Sequence, residues 1–128
     1  MNVADHWHAY TWVGHARPDD NVRVDPNQPV PPLEIAHWLH KPARHVAETF
    51  DNTAEGASSA EKWMREGGEE HEFAGEASFP LEARMKYVAD DISRGADAVW
   101  GYYSKNLRYV SRALVACPRE GQRCPYGR

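Results

Sequence analysis

Apolar residues recur at the period of an α-helix over residues 81–92, the clearest periodic pattern in the chain. Five of them share one helix face, at i, i+4, i+7, i+8 and i+11: Leu81, Met85, Val88, Ala89 and Ile92. Pro80 before this segment and Gly95 after it are typical of helix ends. Because a helix with one apolar face must cover a core, the rest of the chain has to supply the opposing layer.

Strand-forming sequence lies near the two ends of the chain. Residues 6–13 are rich in aromatic and β-branched side chains, and alternation places His6, His8, Tyr10 and Trp12 on one face. Residues 98–117 are typical of a β-hairpin, with its turn at Lys105-Asn106. We therefore predict an α+β fold, in which the N-terminal strand and the C-terminal hairpin form a small antiparallel sheet packed against three to four helices on one face.

The remaining helices are predicted in the middle of the chain. They are expected over residues 33–40, from residue 43 to about residue 55, and over residues 59–66. A capping box at Ser58 and Glu61 favours the start of the last of these, and Gly67-Gly68 favours its end. The polar residues 69–78 are interpreted as a linker rather than as a short strand.

Length and composition indicate one soluble domain. A chain of 128 residues has the common size of a single domain, so we expect residues 1–128 to fold together, with an irregular tail at residues 118–128. No stretch approaches the roughly 20 apolar residues of a membrane helix, and the N-terminus lacks the pattern of a signal peptide. The expected location is the cytoplasm.

Charge is unevenly distributed along the chain. Residues 48–91 contain 12 acidic and 4 basic side chains, a net of −8, whereas residues 92–128 contain 2 and 7, a net of +5. Segregated charge favours a binding protein that acts through a protein partner, such as an inhibitor or regulator from a mobile element. The candidate partner-binding residues are aromatic or acidic: Trp12, Trp100, Tyr102, Glu66, Glu69 and Glu70.

The hairpin suggests an alternative, a module that binds nucleic acid. Sheets that bind single strands combine aromatic platforms with basic side chains. The candidates in the hairpin are Lys105, Arg108, Tyr109 and Arg112. The chain also lacks the short motifs of common enzyme classes, such as a phosphate-binding loop or a nucleophile elbow, so a non-enzymatic role is favoured.

The cysteines and histidines suggest a third hypothesis. The protein would then be a small metal-binding protein or enzyme whose site lies on the histidine-rich first strand. Cys117 ends the predicted hairpin and Cys124 follows in the tail, but their gap is wider than the usual two to four residues between zinc ligands. His6 and His8 would complete a zinc site if the first strand borders the hairpin. A disulfide and two ordinary thiols remain the alternatives.

Overall fold

The structure, a computed structural model, describes residues 4–127. Its sheet has four strands: β1 (His6–Gly14), β2 (Glu48–Asp51), β3 (Ala98–Tyr103) and β4 (Tyr109–Cys117). Neighbouring strands are antiparallel, in the order β2-β1-β4-β3. The predicted α+β class is confirmed, and the first strand does border the hairpin, because β1 pairs with β4.

The helical elements lie between β1 and β3. They are α1 (Asp20–Arg23), two 3₁₀ helices (Ile35–His40 and Ala43–His45), α2 (Ala54–Glu70) and α3 (Leu81–Ser93). The predicted α3 is confirmed, and its stripe faces inward through Met85, Val88 and Ile92. Gly95 follows the helix with φ 68°, the left-handed conformation that favours glycine. No helix within residues 4–127 has the length and apolar character needed to cross a membrane.

Both faces of the sheet are covered. On the first face, Trp7, Ala9 and Leu114 pack in a core with α2 and α3. On the second face, Tyr10 packs in a smaller core with Trp38 of the first 3₁₀ helix. The predicted alternation along β1 is therefore confirmed, whereas the expectation that all helices share one face is wrong.

The helix predicted from residue 43 to about residue 55 is wrong. Ala43–His45 forms a single 3₁₀ turn, and Glu48–Asp51 is the edge strand β2, which pairs with β1. The backbone groups of β1 on that side need partners, and an extended Glu48–Asp51 segment supplies them. Helix α2 then begins at Ala54, because the Thr53 hydroxyl oxygen accepts a hydrogen bond from the Gly56 N–H at 3.0 Å.

The predicted end of a helix at Gly67-Gly68 is also wrong, as is the capping box at residues 58–61. Helix α2 runs from Ala54 to Glu70, and both glycines are buried within it. A β-carbon at residue 67 would overlap the side chain of Arg112, and one at residue 68 would lie 2.6 Å from Leu81. Because glycine has no side chain, these two residues let Arg112 and Leu81 pack close to the helix backbone, and they do not end the helix.

The linker and the hairpin turn differ in detail from expectation. The predicted linker contains no helix or named strand beyond Glu70, but Phe73 is 1% exposed and forms an isolated bridge with Ser104. A tight turn at Lys105-Asn106 would place Asn106 at positive φ, but positive φ occurs instead at Leu107 (63°). Residues 118–127 form turns and one further isolated bridge.

Candidate metal centre

Strand β1 supplies the two histidines. His6 and His8 are two residues apart, so their side chains lie on the same face of the sheet as Tyr10. Their residues are 7% and 0% exposed, and their ring centroids are 4.7 Å apart. Buried imidazole rings need polar partners, because burying a polar group without one raises the free energy of the folded state.

The end of β4 supplies the first sulfur. Cys117 is the direct partner of His6 in the antiparallel pairing of β1 with β4. It is fully buried, and its odd-numbered neighbours Ala113 and Val115 pack on the same face as Tyr10. Strand pairing therefore fixes the position of this cysteine relative to the histidines.

The tail supplies the second sulfur. After β4 the chain turns back, and Cys124 becomes buried, at 6% exposure. Its Sγ lies 3.3 Å from Nε2 of His8 and 3.9 Å from Nε2 of His6. The tail is irregular in secondary structure, but this residue anchors it to the sheet.

The four side chains converge on a common centre. Each residue offers one ligand atom, and these atoms all lie within 4.8 Å of one another. A tetrahedral zinc ion with Zn–N of about 2.0–2.1 Å and Zn–S of about 2.3 Å requires ligand separations of roughly 3.3–3.8 Å. Both measured N···S distances are within a few tenths of an ångström of that range. Within residues 4–127 no other cluster of three or more such ligands occurs.

A neighbouring hydroxyl group orients one of the histidines. Nδ1 of His8 lies 2.9 Å from the hydroxyl oxygen of Thr49 in β2. If Nδ1 carries the ring proton and donates it to that oxygen, Nε2 presents its lone pair toward Cys124. Metal-binding histidines commonly have such an outer partner, which fixes the tautomer and the ring plane.

A buried aromatic pair lies beside the cluster. Tyr10 is fully buried and stacks on Trp38, with ring centroids 4.5 Å apart. Burial raises the pKa of Tyr10 above its ordinary value of 10.0, and Cys117 and Cys124 raise this pKa further. The phenol is thus neutral at physiological pH, and the stacked rings give the four candidate ligands an apolar neighbour.

The predicted partner-binding residues lie in different settings. Trp100 is 9% exposed and packs in the core beside α2 and α3, while Trp12 is half-buried. Tyr102 donates a hydrogen bond to the His71 carbonyl oxygen at 2.7 Å, and burial raises its pKa to about 12. The acidic members are exposed on the C-terminal half of α2: Glu66, Glu69 and Glu70. Binding of a protein partner there stays a prediction.

The predicted nucleic-acid residues are not brought together on one surface. Lys105 and Arg108 are exposed, and Nζ of Lys105 lies 3.7 Å from a carboxylate oxygen of Glu72. Arg112 is 9% exposed and points to the face covered by α2, whereas Tyr109 belongs to the opposite face of β4. Nucleic-acid binding also stays a prediction, and among the predicted residues Lys105 and Arg108 offer exposed positive charges.

Sequence reasoning identified the four candidate ligands but missed Thr49 and Tyr126. Thr49 lies on β2, which the sequence pattern suggested was helical. The ring of Tyr126 packs edge-on against His8 at 5.5 Å, an arrangement that depends on the path of the tail. The strand propensity of Thr49 was the only sequence signal for either residue.

A comparison of the chain with protein-family models, with curated proteins and with solved structures finds no match in any of the three.

Proposed function

We propose that the protein is a small zinc-binding domain, in which a Cys₂His₂ site fastens the C-terminal tail to the sheet. The observation that carries the proposal is the convergence of four buried ligand atoms within 4.8 Å. They come from three separate parts of the chain: β1, the end of β4 and the tail. Two thiolates and two imidazoles in a tetrahedral arrangement are a typical zinc ligand set.

The ligand number favours a structural role for the ion. Catalytic zinc sites commonly use three protein ligands and leave a fourth position open to water or substrate. Here four protein side chains meet, and all four residues are buried. A metal bound in this way would hold residues 118–124 in place as a closed loop, and its binding free energy would add to the stability of the folded state.

The position of the histidines favours a metal over a disulfide. A disulfide would join Cys117 to Cys124 and would make no use of the imidazoles. Yet Nε2 of both histidines approaches the Cys124 sulfur, at 3.3 and 3.9 Å, and Thr49 orients one of the rings. A metal ion would be bound by both cysteines and both histidines, which would account for two imidazole rings in the buried interior.

Metal analysis of the purified protein tests the proposal. The protein is produced in a medium with ordinary trace metals and purified without chelators or added zinc, and bound metals are then measured by mass spectrometry. We expect about one zinc ion per chain. A Cys124→Ser variant and a His8→Gln variant should each retain much less zinc.

The matched control is His15→Gln, because His15 is exposed and lies outside the cluster. This variant should retain the zinc content of the parent protein. A parent protein that lacks zinc and stays metal-free after incubation with zinc would contradict the proposal. An intact mass lower by two hydrogens, as a Cys117–Cys124 disulfide would give, would contradict it as well.

A further inference from the structure

A second candidate site contains none of the four candidate metal ligands and lies between the loop after β1 and the first 3₁₀ helix. It is a cleft of about 510 Å³, a size typical of small-molecule sites. Two of its lining residues are cations, the buried Lys41 and the half-buried Arg23. Two more are the histidines of the 3₁₀ helix, His37 and His40.

Arg23 is held by backbone groups. Its Nε donates to the Pro31 carbonyl oxygen at 2.9 Å, and its Nη2 donates to the Pro32 carbonyl oxygen at 2.7 Å. The remaining nitrogen, Nη1, is buried and has no hydrogen-bond partner. The guanidinium is thus fixed in position, and its charge is not neutralised by these contacts.

Lys41 is fixed in a similar way. It is 3% exposed, and its Nζ donates to the carbonyl oxygens of Asp25 at 3.1 Å and Gln28 at 2.7 Å. These bonds use two of the three N–H groups of the ammonium ion. Within residues 4–127, neither Lys41 nor Arg23 has a carboxylate within 4 Å. The Asp25 carboxylate attracts the Lys41 ammonium ion from beyond 4 Å, so the two fixed positive charges beside the cleft lack a contacting ion-pair partner.

The other lining residues define what could enter. Glu34 is the only carboxylate among them, and it is largely exposed and pairs with His37 at 3.0 Å. The rings of His37 and His40 stack with centroids 4.8 Å apart. Val24 and Leu33 are 63% and 47% exposed, so the rim of the cleft is apolar.

We propose that this cleft binds a small organic anion, a carboxylate attached to a short apolar chain. Its carboxylate would lie toward Lys41 and the His40 imidazole, in the field of Arg23, because fixed cations with no carboxylate in contact favour an anion nearby. Its apolar chain would cover Val24 and Leu33, whose exposed surface would then be removed from water. This site is separate from the proposed metal centre.

The test uses octanoate as the probe and the protein as purified, with residues 1–128 intact. Backbone amide NMR spectra are recorded while octanoate is added, and again with octanol and with inorganic phosphate. We expect saturable shifts confined to residues around 22–42 with octanoate, and at least about tenfold weaker binding of either of the other two compounds. Octanol or phosphate binding as tightly as octanoate would overturn the proposal, as would shifts confined to other parts of the chain.

Two substitutions of Leu33, on the rim of the cleft, distinguish the effect of charge on binding from the effect of lost apolar contact. Leu33→Gln and Leu33→Glu remove the same apolar surface, but only the second adds a negative charge beside the cleft. We expect Leu33→Glu to bind octanoate about tenfold more weakly than Leu33→Gln. Val99→Glu, at an exposed position on β3, should bind like the parent protein. Equal binding by the two Leu33 variants would contradict the proposal that the cleft binds its ligand as an anion.

Discussion

His6 and Cys117 lie directly opposite each other in the pairing of β1 with β4. One residue comes from the first strand of the chain and the other from the last, so the candidate metal centre depends on the longest-range strand pairing in the fold. The tail then brings Cys124 to the same point. A metal held there would tie the tail to this central strand pair.

The tail should become accessible when the site is broken. Because Cys124 is the only candidate ligand beyond β4, we expect Cys124→Ser to loosen residues 118–127 while the sheet stays folded. Arg123 is exposed and offers a trypsin site in the tail. Limited trypsin digestion followed by mass spectrometry should show faster cleavage there in the variant, and in the parent protein after chelation. Equal cleavage rates in all three samples would show that no metal holds the tail.

Arg112 should contribute to stability through α2. Its Nη2 and Nε donate to the Trp63 carbonyl oxygen at 2.8 and 3.2 Å, and its guanidinium lies 3.8 Å from the centre of the Trp63 ring. We expect Arg112→Met to lower the free energy of unfolding by about 2 kcal/mol. Urea denaturation measures this change. Arg108→Met, at an exposed position, is the control and should stay within about 0.5 kcal/mol of the parent protein.

Gly67 should resist replacement because of the same arginine. Alanine is favoured over glycine inside a helix by about 1 kcal/mol, but a β-carbon here would overlap the Arg112 side chain. That side chain cannot swing away freely, because the Trp63 carbonyl oxygen and ring hold it. We expect Gly67→Ala to destabilise the protein by about 1–2 kcal/mol in urea denaturation.

A double variant shows whether Arg112 is the cause. In the Arg112→Met background the more flexible methionine can move aside, so Gly67→Ala should cost much less or should stabilise the helix. An equal cost in both backgrounds would assign the effect to other neighbours of Gly67.

His45 should make stability depend on pH. Burial, with smaller contributions from Arg44 and Lys41, lowers the pKa of His45 below its ordinary value of 6.5. The unfolded chain therefore binds more protons at this residue than the folded protein does. Stability should fall as the pH drops through about 6.5 and toward the lower folded pKa.

Urea denaturation between about pH 7.5 and about pH 5.5 measures this dependence. His45→Gln should lose less stability over that range than the parent protein, and the exposed control His15→Gln should follow the parent. Protonation of the candidate metal ligands affects all three proteins, so the difference between the curves isolates His45. Parallel curves for His45→Gln and the parent would contradict the prediction.

Local patterns were sufficient to predict much of the fold. The apolar stripe of α3, the alternation along β1 and the C-terminal hairpin all correspond to elements of the structure. Each of these features is encoded within about 20 neighbouring residues. The α+β class follows from them, because a sheet made from strands at both ends of a chain needs a layer of helices to cover it.

The errors occur where distant contacts override a local pattern. Apolar residues near Phe50 are spaced as in a helix, but the free edge of β1 draws Glu48–Asp51 into the sheet. Gly67 lies inside α2 because Arg112, from a strand much later in the chain, fills the space beside it. Neither partner can be identified from the residues next to these segments.

The candidate ligands could be chosen from the sequence, but their geometry could not. Cysteines at the end of the hairpin and in the tail, and histidines on the first strand, suggested the four candidate ligands His6, His8, Cys117 and Cys124. Their convergence requires both the β1–β4 register and the return path of the tail, and the wide Cys117–Cys124 gap predicts neither. Thr49 was not identified as a neighbour of the site because strand β2 was not predicted.

X-ray absorption at the zinc edge, recorded on protein purified with its bound metal, tests the proposed zinc site. We expect a four-coordinate ion with two sulfur ligands at about 2.3 Å and two nitrogen ligands at about 2.0 Å. Cys124→Ser should lose one sulfur ligand or the metal itself, whereas His15→Gln should give the parent spectrum. A spectrum of oxygen and nitrogen ligands without sulfur, or no bound zinc, would contradict the proposed site.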